Sequence, residues 1–259
     1  DAQTAANGML SSETYGDYKA VFNVWAIFTP SNESGADDPS AGKSVDTAFD
    51  ASYDTSGIDY LLAVNYVKVL GELNTRFPEK DLALCLVNAK AYGGSGGPIA
   101  VVSLDNQSLE IVRHELGHTL ADLADEYTEP YPGFPDGDPE PNVASAAHLD
   151  PVKWEQWLAP GVSIPTPISD KTGPHEPIGA YEGARYKTTG VFRPSPTCLM
   201  RTLDVTFCPV CAEAMAKQFS ALSLLIAAPS PASPATIPAE GTSTFTATIP
   251  ALSNLTFTW

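Results

Sequence analysis

The run HELGH, at residues 114–118, places two histidines four positions apart, with a glutamate directly after the first. On an α-helix this spacing stacks His114 and His118 on one face, a single turn apart, so both imidazoles can bind one Zn²⁺. Glu115 lies about 100° further round such a helix, near the position that a catalytic zinc leaves open for water. The motif therefore predicts a helix that carries a zinc site, with Glu115 as the general base for the water that the metal activates.

A third protein ligand must follow the histidine pair, because catalytic zinc takes three protein ligands and a water. The stretch ADLADEY offers three carboxylates, which belong to Asp122, Asp125 and Glu126. On an unbroken helix Asp125 would return to the histidine face but lie about 10 Å further along the axis. If Asp125 binds the metal, the helix must bend or end before it.

Hydrophobic periodicity predicts strands and helices on both sides of this motif. The predicted elements are a buried strand at 19–28, an amphipathic helix at 58–77, strands at 81–88 and 99–104, the histidine-bearing helix at 107–123, a helical patch at 151–158 and a helix at 208–225. Residues 129–177 are rich in Pro, Gly and Asp, which predicts loops of the kind that build a cleft.

Acidic side chains outnumber basic ones by 31 to 14, which gives a formal charge of −17. This charge repels phosphate backbones and anionic lipid, so we expect no nucleic-acid partner. No apolar run reaches the roughly 18 residues of a membrane span, so we expect no membrane insertion. The chain starts at Asp1 without a basic-then-apolar leader, and we expect an exported monomer, secreted or at the cell surface.

Several segments together resemble one known family. The run HELGHTLADLADEY resembles the active-site signature of the IgA-peptidase family of metallopeptidases, a metzincin-like group within the zincins. Further segments resemble landmarks of that family in the same order, namely YGGSGG at 92–97, EPN at 140–142, KWEQW at 153–157, the tract at 182–201 and FCPVC at 207–211. The resemblance spans roughly residues 19–220.

The resemblance implies a zinc endopeptidase that hydrolyses peptide bonds of protein substrates. It favours Asp125, in the Asp-Glu-Tyr triplet, as the third zinc ligand, ahead of Glu126 and then Asp122. The common metzincin pattern has glycine three residues and histidine six residues after the second histidine, but Ala121 and Ala124 stand at those positions here. The choice among the three carboxylates therefore stays open.

Two further residues and one segment take roles from this resemblance. Met200, in CLMR, matches the methionine turn that lies beneath the zinc, with a generic buried methionine as the alternative. Tyr186, in GARY, is a candidate catalytic residue that donates a hydrogen bond to the tetrahedral oxyanion, with a packing role as the alternative. Residues 92–97 are expected to form a flexible rim where an extended substrate adds as a strand.

The resemblance also implies the fold. We expect an α/β (α+β) catalytic domain over residues 1–224, built as a zincin-like αβα sandwich in which the active-site helix crosses a mixed, twisted sheet. Residues 225–259 are expected to hold a linker and the start of a C-terminal, Ig-like β-sandwich module, since two or three strands cannot form a stable core alone.

Three of the four cysteines cluster in the sequence. We expect a disulfide from Cys198 to Cys208 or Cys211, in preference to a structural zinc that would lack a clear fourth ligand. Cys85 lies in the apolar run LALCLV and is expected to be a buried thiol. The acidic loop PDGDPEP, at 135–141, is a weak candidate for Ca²⁺ because the EF-hand ligand spacing is absent, and a solvated turn is preferred.

Two other classes of function remain open. One is an adhesion module that keeps the peptidase fold without activity, although the intact HELGH with Glu115 argues against it. The other is a zinc hydrolase of non-peptide substrates. Cleavage of denatured protein would distinguish an endopeptidase from both.

Overall fold

The regular elements lie in the parts of the chain that the computed structural model describes, which are residues 1–168, 175, 177–223, 228–230, 244 and 246–248. The elements are α1 (Ala2–Ser11), α2 (Tyr66–Arg76), β1 (Leu84–Val87), β2 (Gly94–Ser95), β3 (Ala100–Ser103), α3 (Ser108–Ala121), β4 (Ala144–Ser145), β5 (Tyr181–Ala184), β6 (Lys187–Arg193), α4 (Pro209–Leu222), β7 (Ala228–Ser230) and β8 (Thr246–Thr248), with 3₁₀ helices at Gly16–Val21, Ala146–His148 and Glu155–Trp157. No helix in these ranges has the length and apolar character needed to cross a membrane.

The strands form a mixed sheet and two antiparallel ones. In the mixed sheet β3 is central, with β1 parallel to it on one side and β2 antiparallel on the other. In the second sheet β6 lies between β4 and β5, both antiparallel to it. β7 and β8 form an antiparallel pair. This mixed α+β structure confirms the predicted fold class.

Side chains of β3 alternate between two hydrophobic clusters, as the period of two in a strand requires. Ala100 and Val102 belong to the cluster that holds buried residues of α1, α3 and α4. Val101, between them, belongs to the cluster that holds Val69 of α2. All three strand residues are fully buried. Helices therefore cover both faces of the mixed sheet.

Helix α3 is buried on nearly all sides over its second and third turns. Every residue from Ile111 to Gly117 is buried, as is Ala121. A helix that is surrounded in this way is a core element rather than a surface one. It contacts β3, α1 and α4, so the motif that it carries is held by the centre of the domain.

The predicted strand at 19–28 is wrong. The 3₁₀ helix Gly16–Val21 takes its first residues, and residues 22–28 belong to no strand. Trp25 is 69% exposed and stacks on Phe77, after the end of α2, with ring centroids 5.4 Å apart. β-branched and aromatic residues favour a half-buried strand surface. A strand also needs a partner strand, and composition alone does not provide one.

The predicted helix at 58–77 forms only in its second half. Its first residues pair with other backbone instead, since Ala63 bridges Ser52 and Leu61 bridges Gly94. The helix starts after Asn65, whose side chain accepts a hydrogen bond from the Lys68 amide and caps the first turn. Asn65 therefore marks the true start of the helix, although the apolar periodicity had placed that start at residue 58.

Most of the predicted C-terminal module lies outside the described residues. Ala228–Ser230, which the sequence placed in the linker, forms a strand paired with Thr246–Thr248. The division into residues 1–224 and 225–259, and the β-sandwich itself, stay predictions.

In the predicted helical patch at 151–158, the helical part is the 3₁₀ turn Glu155–Trp157.

Candidate metal site

The two histidines of the motif lie together on α3. Their Nε2 atoms are 3.1 Å apart, and the rings meet nearly edge to face. The His114 residue is 8% exposed, so the pair sits at the floor of a cleft rather than on the surface. The one-turn spacing of the motif accounts for this contact.

Backbone carbonyls fix the orientation of both imidazoles. His114 Nδ1 lies 2.9 Å from the Leu199 carbonyl oxygen, and His118 Nδ1 lies 2.5 Å from that of Leu123. A carbonyl can only accept, so each Nδ1 carries a proton and each Nε2 is the nitrogen left to bind a metal. This is the usual arrangement of histidines that bind a metal, in which a second group holds the ring.

Asp125 completes a group of three donor atoms. Its Oδ1 lies 3.1 Å from His114 Nε2 and 3.3 Å from His118 Nε2. Atoms that bind a tetrahedral zinc at about 2.0–2.2 Å are about 3.3–3.6 Å from one another, so the three donors lie at or slightly inside the spacing for that metal. These residues also form one of the two groups of possible metal ligands among the described residues.

The end of α3 brings Asp125 back to the histidines. The helix ends at Ala121, before Asp125, as its role as a ligand requires. Asp122 follows with φ 51° and ψ 38°, a left-handed conformation in which its N–H bonds the carbonyls of Gly117 and His118. Asp122 itself is exposed at the end of the helix. Among the described residues it makes no hydrogen bond to either imidazole.

The charges at the histidine pair favour a bound cation. Burial alone would raise the pKa of Asp125, but the two imidazoles outweigh it and hold the pKa below its usual range. In return, although burial opposes it, the Asp125 carboxylate raises the pKa of His118 to about 9. Without a metal this carboxylate would keep a proton on the ring, and a metal takes the place of that proton.

Glu115 lies beside the histidines and is 8% exposed. Burial raises the pKa of its carboxyl, while His114 and His118 oppose the rise. A carboxylate whose pKa moves toward neutrality is better suited to accept a proton from water and release it later. Its place and its charge therefore suit a general base.

Glycines of the 92–97 segment let the backbone lie directly on the site. A Cβ built on Gly94 would be 2.7 Å from Glu115 Oε1, and one on Gly96 would be 2.3 Å from His118 Cβ. Both distances are shorter than any that real side chains allow, so only glycine fits.

The outer edge of the segment at residues 92–97 is partly occupied, because the Leu62 amide donates to the Gly94 carbonyl and Ser95 Oγ donates to the Leu62 carbonyl. The backbone of Leu62 thus takes the place of a substrate strand at Gly94, and the expectation that residues 92–97 form a rim to which a substrate strand adds stays a prediction.

Met200 lies beneath α3 and is fully buried. A Cβ on Gly117 would be 2.9 Å from its sulfur, so helix and methionine are in close contact. The same turn presents the Leu199 carbonyl to His114 and the Met200 carbonyl to the Glu126 amide, at 2.7 Å. The turn thus holds one histidine and the chain that follows Asp125.

Tyr186 reaches the site from the turn between β5 and β6. Its hydroxyl donates to Asp125 Oδ2. The turn residues Arg185 and Tyr186 both have positive φ, at 54° and 63°, and their amides donate to the carbonyls of Asp125 and Tyr127. Burial and the Asp125 charge raise the pKa of the phenol, so it remains a donor.

Asn142 is a buried residue for which the sequence suggested no role. Its side chain accepts from the Ala124 amide at 2.7 Å and donates to the Ala124 carbonyl at 2.9 Å and to Glu126 Oε1 at 3.0 Å. It thereby fixes the backbone before Asp125 and the side chain of Glu126 after it. The EPN landmark marked this residue, but only its contacts reveal what it does.

Glu126 points away from the histidines to the three clustered cysteines, and Cys211 Sγ lies 3.4 Å from its Oε1. Cys198, Cys208 and Cys211 are buried and free. The Sγ atoms of Cys198 and Cys211 are 3.6 Å apart, so the predicted disulfide is not formed. Cys85 is also a free thiol and is only partly buried.

The acidic loop at 135–141 does not form a calcium site among the described residues. Each of its three carboxylates pairs with a cationic side chain or an imidazole. The pairs are Asp136 with Lys187, Asp138 with His148 and Glu140 with Arg185. Asp138 is 9% exposed, so a solvated turn is also wrong for it.

Two cavities compete as the binding site. The larger, about 1080 Å³, is mostly apolar and lies between residues 21–35, β1 and α2, without any residue of the metal site in its lining. The smaller, about 660 Å³, is lined by the histidines, Glu115, Asp125 and Tyr186 together with further aromatic side chains. We assign the site to the smaller cleft because it holds the groups that can do chemistry.

A protein-family model described as IgA Peptidase M64 matches residues 1–176 and 172–219. These ranges cover most of the chain and contain every residue of the metal site. None of the curated proteins matches the chain.

Proposed function

The chain belongs to the IgA peptidase M64 family, and we propose that it is a zinc-dependent endopeptidase whose metal is held by His114, His118 and Asp125. Membership of the family makes the chain a metallopeptidase. The single observation that carries the proposal is the group of three donor atoms, 3.1 to 3.3 Å apart, at the floor of a cleft beside Glu115. The imidazoles are already oriented by backbone carbonyls.

Each residue of the site has a chemical role. A bound zinc would supply a Lewis acid for the scissile carbonyl and for the attacking water. Glu115 accepts a proton from that water and passes it to the leaving amine. Tyr186 keeps its proton and is placed to donate a hydrogen bond to the oxygen on which negative charge develops.

The Tyr186 hydroxyl has two possible hydrogen-bond acceptors. With no substrate, its hydroxyl donates to Asp125 Oδ2. A substrate oxygen that gains charge competes for the same proton, because hydrogen bonds to a developing oxyanion strengthen as the reaction proceeds. Its placement between ligand and cleft supports the catalytic role over simple packing.

The shape of the cleft supports a peptide substrate. The cleft is open and about 660 Å³ in volume, and its lining includes Tyr60, Tyr92 and Tyr127. Aromatic side chains with polar tips suit a chain of alternating apolar and amide groups. The name of the family refers to IgA, and that word assigns no substrate to this chain. We also propose that the protein acts as an exported monomer on external protein.

Digestion of a denatured protein tests this proposal. The purified chain should cut it at preferred sites, a chelator should stop the cutting, and added Zn²⁺ should restore it. Cleavage that survives complete removal of the metal would contradict a metal-dependent reaction. Hydrolysis of small esters or amides without any cleavage of protein would favour the non-peptide hydrolase, and no hydrolysis of either would favour the adhesion module.

A further inference from the structure

A second group of possible metal ligands lies among the described residues, apart from the histidines. It consists of Glu126, Cys198, Cys208 and Cys211, and their ligand atoms all lie within 4.8 Å of one another. All four residues are fully buried. Three thiols and a carboxylate are a complete set of four donors for a tetrahedral metal, which is the number that a structural zinc requires.

One carboxylate oxygen of Glu126 lacks the partner that a metal in this cluster would supply. Its Oε1 accepts from Asn142 at 3.0 Å and from the Cys211 thiol at 3.4 Å. Its Oε2 is buried and has no hydrogen-bond partner. A buried carboxylate oxygen without a partner costs several kcal/mol unless it is paired or binds a metal. Glu126 is thus the fourth ligand that three cysteines alone would lack.

The sulfur positions fit a metal better than a disulfide. The Sγ atoms of Cys198 and Cys211 are 3.6 Å apart. In a disulfide this distance is about 2.05 Å. Two thiolates on one tetrahedral zinc, each about 2.3 Å from it, are about 3.8 Å apart. A disulfide between Cys198 and Cys211 would also leave Cys208 as a lone buried thiol and remove the S–H that Cys211 donates to Glu126.

Local structure places backbone dipoles beside the sulfurs, which partly offsets the cost of burying the thiolates that a metal needs. Cys208 is the N-cap of α4 and Cys211 lies in its first turn, where the helix dipole stabilises negative charge. The Cys208 amide donates to Cys198 Sγ at 3.3 Å, a contact that also stabilises a thiolate. Two of the three sulfurs are therefore placed at a helix N-terminus, and the third receives a backbone N–H.

Two arginines compensate the charge of a filled site. Three thiolates and a carboxylate carry four negative charges, of which zinc neutralises two. Arg201 Nη1 donates to the Glu126 carbonyl at 2.6 Å. Arg193 is 2% exposed and close enough to interact electrostatically with Glu126 and with Arg201.

From these observations we infer that Glu126, Cys198, Cys208 and Cys211 bind a second, structural Zn²⁺. This ion would tie the N-terminus of α4 to the methionine turn and to the chain that follows Asp125. It has no open position for substrate, because four protein ligands fill a tetrahedron. The inference does not rest on the proposed peptidase activity.

X-ray absorption at the zinc edge tests this site directly, because the histidine site holds only nitrogen and oxygen donors. The protein is purified with a non-thiol reductant, loaded with Zn²⁺ and freed of excess metal. We expect two zinc equivalents per chain and a zinc–sulfur distance of about 2.3 Å. Three sulfurs shared between two ions give an average of about 1.5 sulfurs per zinc.

Variants separate the two sites. A His114→Ala/His118→Ala double variant should retain one zinc with about three sulfur neighbours. Cys208→Ser should lose one equivalent, whereas the matched control Cys85→Ser, outside the cluster, should keep two. The wild-type spectrum decides the question even if a variant fails to fold.

A zinc-loaded wild type whose spectrum shows no sulfur neighbours would overturn the inference. One zinc equivalent with about three sulfur neighbours would support this site and count against the histidine site. A disulfide between Cys198 and Cys211, mapped in non-reduced peptides of the native protein, would overturn it as well. Loss of hydrolysis with the sulfur signal intact would reject the peptidase proposal alone. Hydrolysis without the sulfur signal would reject the second site alone.

Discussion

Asp125 and Glu126 are consecutive residues whose carboxylates face two different clusters. Asp125 Oδ1 lies 3.1 Å from His114 Nε2, and Glu126 Oε1 lies 3.4 Å from Cys211 Sγ. Asn142 holds the backbone before Asp125 and the side chain of Glu126 with three hydrogen bonds. These two consecutive residues thus supply one carboxylate to the candidate catalytic metal site and one to the candidate structural metal site.

Asp125→Ala should remove the third ligand of the histidine site. We expect zinc binding at that site to weaken by at least about 100-fold, because two imidazoles alone leave a zinc incompletely held. Zinc titration of the chelator-treated protein measures this, and His114→Ala identifies which binding step belongs to the histidines. Asp122→Asn, which keeps the left-handed helix cap, is the control and should bind normally. Normal zinc binding by Asp125→Ala would reject this residue as a ligand.

Tyr186→Phe should lower kcat with little change in KM or in zinc content. Loss of one donor to an oxyanion typically lowers kcat about 10²–10³-fold. Tyr131→Phe is a matched control, because the Tyr131 ring meets the Tyr186 ring edge to face, with centroids 5.4 Å apart, in the same aromatic cluster. Steady-state kinetics on a peptide substrate measure both variants. Equal activity of Tyr186→Phe and the wild type would leave only the packing role.

Gly96→Ala should destabilise the domain, because its Cβ would lie 2.3 Å from His118 Cβ. Forcing a methyl group into a packed contact costs about 1–3 kcal/mol of unfolding free energy. Gly71→Ala is the control, since nothing lies within 4 Å of that Cβ. There we expect a gain of about 0.8–1 kcal/mol from helix propensity. Urea unfolding measures both changes, and a fully stable Gly96→Ala would show that the chain directly after β2 does not press on α3 in this way.

Asp138→Asn should lose a stabilising effect that depends on pH. Burial raises the pKa of Asp138, but the Ser145 amide, His148 and Lys153 outweigh it and lower the pKa. The ionised form therefore stabilises the fold above the unfolded pKa of about 3.9, and this is lost as pH falls through the lower folded pKa. We expect the variant to be about 1–3 kcal/mol less stable than the wild type at pH 6, with a smaller difference near pH 3.

Denaturant unfolding at the two pH values measures this difference. Asp136→Asn is the control, because the Asp136 side chain is 90% exposed and should contribute little at either pH. A deficit in Asp138→Asn that is the same at pH 6 and pH 3 would show that the charge of this carboxylate is not the cause.

The sequence predicted the part of the site that lies within one helix. Spacing along α3 determines that His114 and His118 face one point, because helical geometry is local and regular. It also required the helix to end before Asp125, and α3 does end at Ala121. The direction of Glu126 could not be predicted, since after the helix each side chain follows irregular backbone that Asn142 holds from 16 positions away.

The incorrect predictions depend on partners that are distant in the chain. Residues 19–28 have the composition of a strand, but within the described parts of the chain they have no neighbouring strand to pair with. Leu61, counted as part of a helix, instead bridges Gly94, more than 30 positions later. The disulfide was favoured because three thiolates lacked a fourth ligand, and only the structure places Glu126 beside them.

Hydrolysis by Glu115→Gln, measured together with zinc content, is the most direct test of the account that this chain is a zinc peptidase. The amide cannot accept a proton from water, yet it leaves His114, His118 and Asp125 unchanged. We expect the variant to hold as much zinc as the wild type while kcat/KM falls about 10²–10⁴-fold. A variant that keeps its zinc and more than about a tenth of the wild-type rate would contradict the account.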